Sequence, residues 1–192
     1  MIVLDTIVRD NTDGVAVVAS DGQILLDHVR SERNQNSGFY IAPVLGSFGN
    51  AFATVVDSVF SNNGANGMWI DTVGGASTVA RVDRTVMSDN VNDGFKVTSG
   101  AGTAFVTLGR STIAGGSNAS VEVLAPTGTV YATLFANMTV DNRILVNGGG
   151  AYVWLSGNGG LILGCVGAPN VYSFGNNSLT EGVLCGIKVG QN

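Results

Sequence analysis

The chain has 192 residues, a formal net charge of −5, 12% charged residues and 45% hydrophobic residues. This apolar fraction can bury enough surface to offset chain entropy, which excludes disorder, and two lysines are too few for a typical helical bundle. Glycine fills 28 positions and asparagine 18, and both residues favour turns over helices. Because no basic stripe is present to contact phosphates, we expect no nucleic-acid partner. No apolar run approaches the ~18 residues of a membrane helix, so no membrane span is predicted.

An Asn/Asp-rich turn followed by a small residue and an apolar-x-apolar strand recurs along the chain. In chain order, four clear copies occupy residues 10–17, 34–41, 63–70 and 90–97, and weaker copies follow at 120–123 and 143–146. The interval is about 26 residues, which indicates an internal structural repeat.

Each repeat contains two further short strands. One group comprises residues 24–26, 53–55, 80–82, 106–108, 132–134 and 153–155. A shorter group precedes each turn and contains Ile7, Val29 to Arg30, Val59 to Phe60, Val86 to Met87, Thr112 to Ile113 and Met138. Three short strands of period two per repeat are too few for a propeller blade of ~40–45 residues, and no segment keeps a helical period.

These strands are predicted to stack coil upon coil in a solenoid, so that equivalent positions form ladders. The inward ladder is Val15, Phe39, Met68, Phe95, Val121 and Ile144, and its companion is Val17, Ile41, Ile70, Val97, Val123 and Val146. Both are apolar throughout, as a dry interior requires. The outward ladder between them is Ala16, Tyr40, Trp69, Lys96, Glu122 and Leu145. We expect one all-β domain that spans residues 1–192.

The segments "VVDSVFSNNGANGMWI" and "VDRTVMSDNVNDGFKV" resemble the right-handed parallel β-helix repeat of the pectate-lyase-like superfamily. They are especially similar to uncharacterised bacterial β-helix proteins, over about residues 3–182. The resemblance implies a right-handed parallel β-helix of about seven coils of three short strands, roughly 35 Å long. It also implies a secreted or cell-surface protein. Since Met1 begins within a coil and no signal peptide is present, we expect the chain to be trimmed at its N-terminus and to lack its leader.

A polar corner is predicted where the coils align. His28, Asp57, Arg84 and Arg110 fall one coil apart, with Asp27 and Asp83 beside them. Lyases of the superfamily hold Ca²⁺ with carboxylates and use a basic side chain to remove a proton. In that hypothesis an acidic polysaccharide is the substrate, Asp57 and Asp83 bind Ca²⁺, and Arg84 or Arg110 is the base. The alternative is a surface ion pair between Asp57 and Arg84. Outside the lyase hypothesis no metal, cofactor or catalytic residue is assigned.

The outward ladder supplies a candidate sugar platform. Tyr40 and Trp69 present aromatic rings on consecutive coils, with Lys96 and Glu122 next in line to orient hydroxyl or carboxylate groups. Alternatively, the aromatic side chains stabilise the ladder by packing, or lie under a loop formed by residues 42–52. Trp154 is a further candidate on another face.

The favoured hypothesis is a non-enzymatic structural or glycan-binding module of a secreted or surface protein, with a polysaccharide as partner. A polysaccharide lyase is the first alternative. The second is an assembly module of a fibre or adhesin, which would self-associate through the aromatic stripe or the open coil end. Cys165 and Cys185 can form one disulfide or remain two buried thiols, and the sequence leaves both open.

Overall fold

The computed structural model describes residues 1–18, 21–43, 49–140, 143–174, 176–181 and 187–189. Within these residues the protein is all-β and contains no helix. The strands, in chain order, are β1 (Ile2–Leu4), β2 (Ile7–Arg9), β3 (Val15–Val18), β4 (Gly22–Asp27), β5 (Arg30–Glu32), β6 (Phe39–Ala42), β7 (Asn50–Val56), β8 (Val59–Ser61), β9 (Met68–Thr72), β10 (Ser77–Asp83), β11 (Val86–Ser88), β12 (Asp93–Ser99), β13 (Thr103–Gly109), β14 (Thr112–Ala114), β15 (Ala119–Leu124), β16 (Thr129–Phe135), β17 (Met138–Val140), β18 (Ile144–Asn147), β19 (Ala151–Ser156), β20 (Leu161–Val166), β21 (Asn170–Ser173), β22 (Leu179–Glu181) and β23 (Ile187–Val189).

The strands form three parallel sheets in which every neighbour lies one coil away. The first sheet has the order β1-β4-β7-β10-β13-β16-β19-β21-β23, the second β2-β5-β8-β11-β14-β17, and the third β3-β6-β9-β12-β15-β18-β20-β22. The protein is therefore a parallel β-solenoid with three short strands per regular coil, which confirms the predicted fold class.

The regular three-sided part is shorter than the sequence predicted. The second sheet extends from β2 to β17 and so bounds about five full turns, against the expected seven coils. Among the described residues, the next coil adds no strand to the second sheet and contacts it only through an isolated β-bridge between Met138 and Gly159. That position lies in the segment Gly157-Asn158-Gly159-Gly160, and glycine supplies no side chain to pack against a neighbouring strand.

The core is built from the predicted ladders. In the third sheet, the inward row pairs Val15, Phe39, Met68, Phe95, Val121 and Ile144 in register, and all six are buried. The second sheet adds the buried side chains of Phe60, Met87 and Ile113 on consecutive coils. Opposite them, the first sheet contributes rows that include Leu26, Val55, Val82, Leu108 and Leu134. One continuous apolar column therefore runs along the solenoid axis.

Two columns of left-handed residues form two of the corners. Between the first and second sheets, the non-glycine residues with positive φ are Asp5, His28, Asp57, Arg84, Arg110 and Ala136, with φ between 46° and 52°. Between the second and third sheets, they are Asp10, Arg33, Asn62 and Asp89, with φ between 54° and 59°. Non-glycine residues seldom adopt this conformation, so its repetition shows that each coil bends in the same way. Side chains at the first corner are consequently stacked one coil apart.

Buried polar ladders lie inside these corners. Asn34, Asn63 and Asn90 form one ladder, in which Asn34 Nδ2 donates to Asn63 Oδ1 and Asn63 Nδ2 donates to Asn90 Oδ1, both at 3.0 Å. At the other corner, Asn137 donates in the same way to Asn158 at 3.1 Å. These bonds satisfy amide groups that would otherwise be buried without partners, at a cost of about 1–3 kcal/mol each.

A row of glycines is required for space and not for an unusual backbone angle. Gly14, Gly38, Gly67 and Gly94 occupy equivalent positions, each directly before a residue of the buried inward row, and none of them has a positive φ. A Cβ atom on Gly67 would lie 2.5 Å from the Gly94 carbonyl oxygen and 2.7 Å from Asn90 Nδ2. The glycine thus lets the third sheet approach the asparagine ladder.

We expect Gly67→Ala to destabilise the fold by about 1–3 kcal/mol, because the added methyl group overpacks this corner. The matched control is Gly159→Ala, where a Cβ would meet no atom within 4 Å. That change should be neutral, or should stabilise the fold by about 0.4–1 kcal/mol because alanine lowers the conformational entropy of the unfolded chain. Urea unfolding of the two variants checks the difference. Equal destabilisation would contradict the assigned packing.

Three smaller predictions can also be compared with the structure. No helix in the described ranges is long and apolar enough to cross a membrane. Cys165 is disulfide-bonded, which agrees with the disulfide alternative and not with two free thiols, while Cys185 lies outside the described residues. Residues 44–48 of the predicted covering loop at 42–52 also lie outside the described residues.

Candidate functional site

Tyr40 and Trp69 lie side by side on the outer surface of the third sheet. They are register partners on β6 and β9, and the alternation of each strand turns them outward while their neighbours enter the core. Their ring centroids are 4.8 Å apart and the ring planes are inclined by 45°. Since the rings are tilted and not stacked, neither ring fully covers the face of the other.

The aromatic pair lines a surface pocket of about 400 Å³. Its walls are Asp13, Asn36, Ser37, Tyr40, Ala65 and Trp69. The polar residues come from the turns that enter β3 and β6, so the repeated Asn/Asp-rich turn places them beside the rings. The pocket therefore combines aromatic surface with a carboxylate, an amide and a hydroxyl group.

A second carboxylate, which the sequence prediction missed, lies at the edge of this surface. Asp71 follows Trp69 by two positions on β9 and points to the same side. Burial raises the pKa of Asp71 above its usual value, and the positive charge of Lys96 opposes that shift. Burial, with the negative charges of Asp71 and Asp13 nearby, also raises the pKa of Tyr40. The Tyr40 hydroxyl thus stays protonated near neutral pH. Strand alternation was the signal that could have identified Asp71.

Lys96 and Glu122 continue the same outward row as an ion pair. Lys96 Nζ lies 2.6 Å from Glu122 Oε2, 3.8 Å from Asp93 Oδ2 and 6.0 Å from the centre of the Trp69 ring. Glu122 and Asp93 are both buried. Asn118 Nδ2 donates to Asp93 Oδ1 at 2.8 Å and to Glu122 Oε1 at 3.1 Å. The lysine charge is therefore neutralised within the cluster, and Glu122 acts mainly to hold Lys96 in place.

The predicted polar corner is a chain of ion pairs that runs from Asp57 through Arg84 and Asp83 to Arg110. Arg84 binds Asp57 through two hydrogen bonds, of 2.7 and 2.6 Å, and donates a third to Asp83 at 2.9 Å. Arg110 Nε donates to Asp83 Oδ1 at 2.8 Å, and its Nη2 contacts Asp83 Oδ2. Hydrogen bonds from the arginines lower the pKa of both aspartates, and the aspartates raise the pKa of both arginines.

This pairing bears on the chemistry proposed for the corner. A guanidinium whose pKa is raised by a carboxylate is poorly suited to remove a proton. The oxygens of Asp57 and Asp83 accept hydrogen bonds from arginine, so a Ca²⁺ ion would have to compete with the guanidinium groups for them. His28 Nδ1 lies 2.6 Å from Asp27 Oδ1, and these two residues with Asp57 bring potential ligand atoms within 4.8 Å of one another. We assign no metal there because Arg84 already occupies Asp57.

Trp154 lies apart from the pocket, on the outer face of the first sheet. Its ring stacks on that of Tyr172 with centroids 5.5 Å apart and planes inclined by only 10°. The structure therefore brings Tyr40, Trp69, Lys96 and Glu122 together in one row, and places Trp154 on a different surface.

Comparison with models of known protein families, with curated proteins and with solved structures gave no match for this chain. Function is therefore argued from the geometry of its surfaces.

The pKa shifts of two buried aspartates have opposite signs and give opposite stability effects. The pKa of Asp93 is raised from 3.8, first by burial and then by Glu122. The folded state therefore favours the protonated carboxyl group, and the stability that this provides is lost as pH rises through the folded-state pKa. We expect Asp93→Asn to raise the thermal midpoint at pH near 7, and the difference to vanish in acid below 3.8.

The control is Asp83→Asn, since hydrogen bonds from Arg110 lower the pKa of Asp83 from 3.8. Its stabilising contribution exists above that value and is lost as pH falls through the folded-state pKa. We expect the thermal midpoint of this variant to lie below that of the wild type near neutral pH, and the two midpoints to converge in acid. Thermal melts across the pH range check both signs, and shifts in the same direction would contradict this electrostatic assignment.

Proposed function

We propose that this protein is a non-enzymatic glycan-binding β-solenoid module, and that a sugar binds in the Tyr40–Trp69 pocket. The observation that carries the proposal is the tilted aromatic pair, which lines a pocket together with hydrogen-bonding side chains. Small-molecule sites commonly combine apolar surface with a few well-placed polar groups in this way.

The tilt of the rings supports contact with a sugar. A pyranose packs its C–H face on an aromatic face, so the ring must present that face to solvent. The 45° inclination leaves face area accessible at the pocket, and Asp13 and Asn36 lie close enough to line the same space. A carboxylate accepts hydrogen bonds from sugar hydroxyls, and an amide can donate and accept them.

The charge around the pocket favours a neutral glycan over an acidic one. Asp13 lines the pocket, Asp71 lies beside Tyr40, and the nearby cation Lys96 is already paired with Glu122. A uronic acid would therefore meet uncompensated negative charge. This argument separates the proposal from the acidic polysaccharide of the lyase hypothesis.

We also propose that the protein acts outside the cytoplasm, as a secreted or surface protein. The disulfide of Cys165 supports this, because disulfides persist mainly in oxidising compartments. The glycan-binding proposal places no catalytic step on Arg84 or Arg110. Incubation with acidic polysaccharides should accordingly release no unsaturated sugar.

The test is a broad glycan array followed by calorimetry with the neutral oligosaccharide that binds best. We expect Trp69→Ala to weaken binding about tenfold or more, about 1.4 kcal/mol, because the stacking surface is removed. Trp154→Ala is the matched control, since it removes the same side chain from another sheet. It should bind as the wild type does.

Two results would overturn the proposal. One is an array without any bound neutral glycan. The other is a Trp69→Ala variant that binds as tightly as the Trp154→Ala control.

A further inference from the structure

A lysine, two carboxylates and a side-chain amide meet between two neighbouring coils, outside the aromatic pocket. Lys96 on β12 and Glu122 on β15 are register partners, and Asn118 lies in the turn that leads into β15. Asp93 Oδ1 accepts hydrogen bonds from Asn118 Nδ2 at 2.8 Å and from the backbone N–H of Ala119 at 3.0 Å. The turn that carries Asn118 is therefore held against β12.

Glu122 contacts the two groups of this cluster that can react with one another. Its Oε2 lies 2.6 Å from Lys96 Nζ, and its Oε1 accepts a hydrogen bond from Asn118 Nδ2 at 3.1 Å. Both separations lie within the range of about 2.6–3.2 Å in which a side chain transfers a proton. One carboxylate can thus take a proton from the lysine and deliver a proton to the amide nitrogen.

The cluster is largely shielded from water. The side chain of Asp93 is 1% exposed, that of Glu122 9% and that of Lys96 23%. In such surroundings, the proton transfer that turns an ammonium–carboxylate pair into an amine and a carboxylic acid costs less than in water. A desolvated, neutral lysine amine is a nucleophile. The arginines of the polar corner offer no such group, because a guanidinium keeps its proton.

We propose that Lys96 and Asn118 are joined by an intramolecular isopeptide bond, and that Glu122 carries the protons in its formation. Glu122 takes one proton from the Lys96 ammonium group, and the lone pair of Nζ attacks Cγ of the Asn118 amide. The Glu122 carboxyl group then protonates Nδ2, the Cγ–Nδ2 bond breaks, and ammonia leaves with the bonding electron pair. The second proton lost from Nζ passes through Glu122 to the ammonia. One ammonium group and one amide thus give one secondary amide and one ammonium ion, with no oxidant or reductant.

The bond fastens two consecutive coils to one another on the outer side of the third sheet. It closes a loop between residues 96 and 118, and a covalent link of this kind stabilises the fold by restricting the unfolded chain, as a disulfide does. The bond removes the charge of Lys96, which does not line the glycan pocket. The charge argument for a neutral glycan is therefore unchanged.

Intact-mass spectrometry of the folded protein, measured after reduction of its disulfide, tests the bond. We expect the wild type to be lighter than its sequence mass by one ammonia molecule, about 17 Da. Trypsin should release residues 85–110 and 111–143 as one linked species, because the bond joins Lys96 to Asn118 and blocks cleavage after Lys96. Glu122→Gln should have the full sequence mass, since an amide does not take up the proton. The matched control is Lys188→Arg, which removes the other lysine of the chain and should keep both the mass loss and the linked species.

Circular dichroism establishes that Glu122→Gln is folded, and Asn118→Ala, which should also have the full sequence mass, replaces it if it is not. A wild type of full sequence mass overturns the proposal. So does a loss of ammonia that persists in Glu122→Gln, or one that leaves the two tryptic peptides separate, as cyclisation at Asn63-Gly64 would. Loss of water instead, with Lys96 joined to Asp93, would overturn the assignment of Asn118. None of these results depends on glycan binding, so this test is independent of the proposed function.

Discussion

In-register stacking of equivalent residues in consecutive coils is the constraint on which the rest of the structure depends. It requires every coil to bend at the same positions, which the left-handed residues at Asp57 and Arg84 achieve with nearly equal φ angles. It also requires buried amides to be paired between coils, as in the ladder that contains Asn63. A slip of one residue would exchange Phe39 with Tyr40 and place a hydroxyl group in the dry core. The core therefore fixes the register, and the register fixes which side chains share an outer row.

The sequence predicted the fold class and the third-sheet ladders because alternation of period two combines there with an apolar core. Tyr40, Trp69, Lys96 and Glu122 were found in this way, as neighbours in one outward row. The sequence could not give the pairing of Asp83 with both arginines or the tilt of the rings, since these depend on side-chain rotamers. The role of Gly67 was also hidden, because its backbone angle is ordinary and the constraint comes from Asn90 in the next coil.

The same stacking produces aromatic surfaces of two kinds. Where the rings are tilted, as at Tyr40 and Trp69, face area remains accessible beside polar turns. Where the rings are nearly parallel, as from Phe105 to Tyr152, the faces cover one another and only edges remain. Ring orientation thus separates a surface suited to sugars from one that offers little ring face. At the first corner, stacking also joins opposite charges, and this neutralises the arginines that would otherwise attract an anionic substrate.

The most direct measurement is a crystal structure of the protein with the neutral oligosaccharide that it binds best. We expect a sugar ring packed against Trp69 or Tyr40 inside the pocket, with its hydroxyl groups hydrogen-bonded to Asp13 or Asn36. A sugar bound instead at the column of Asp57, Arg84 and Arg110, or along the outer face of the first sheet, would contradict the proposed function.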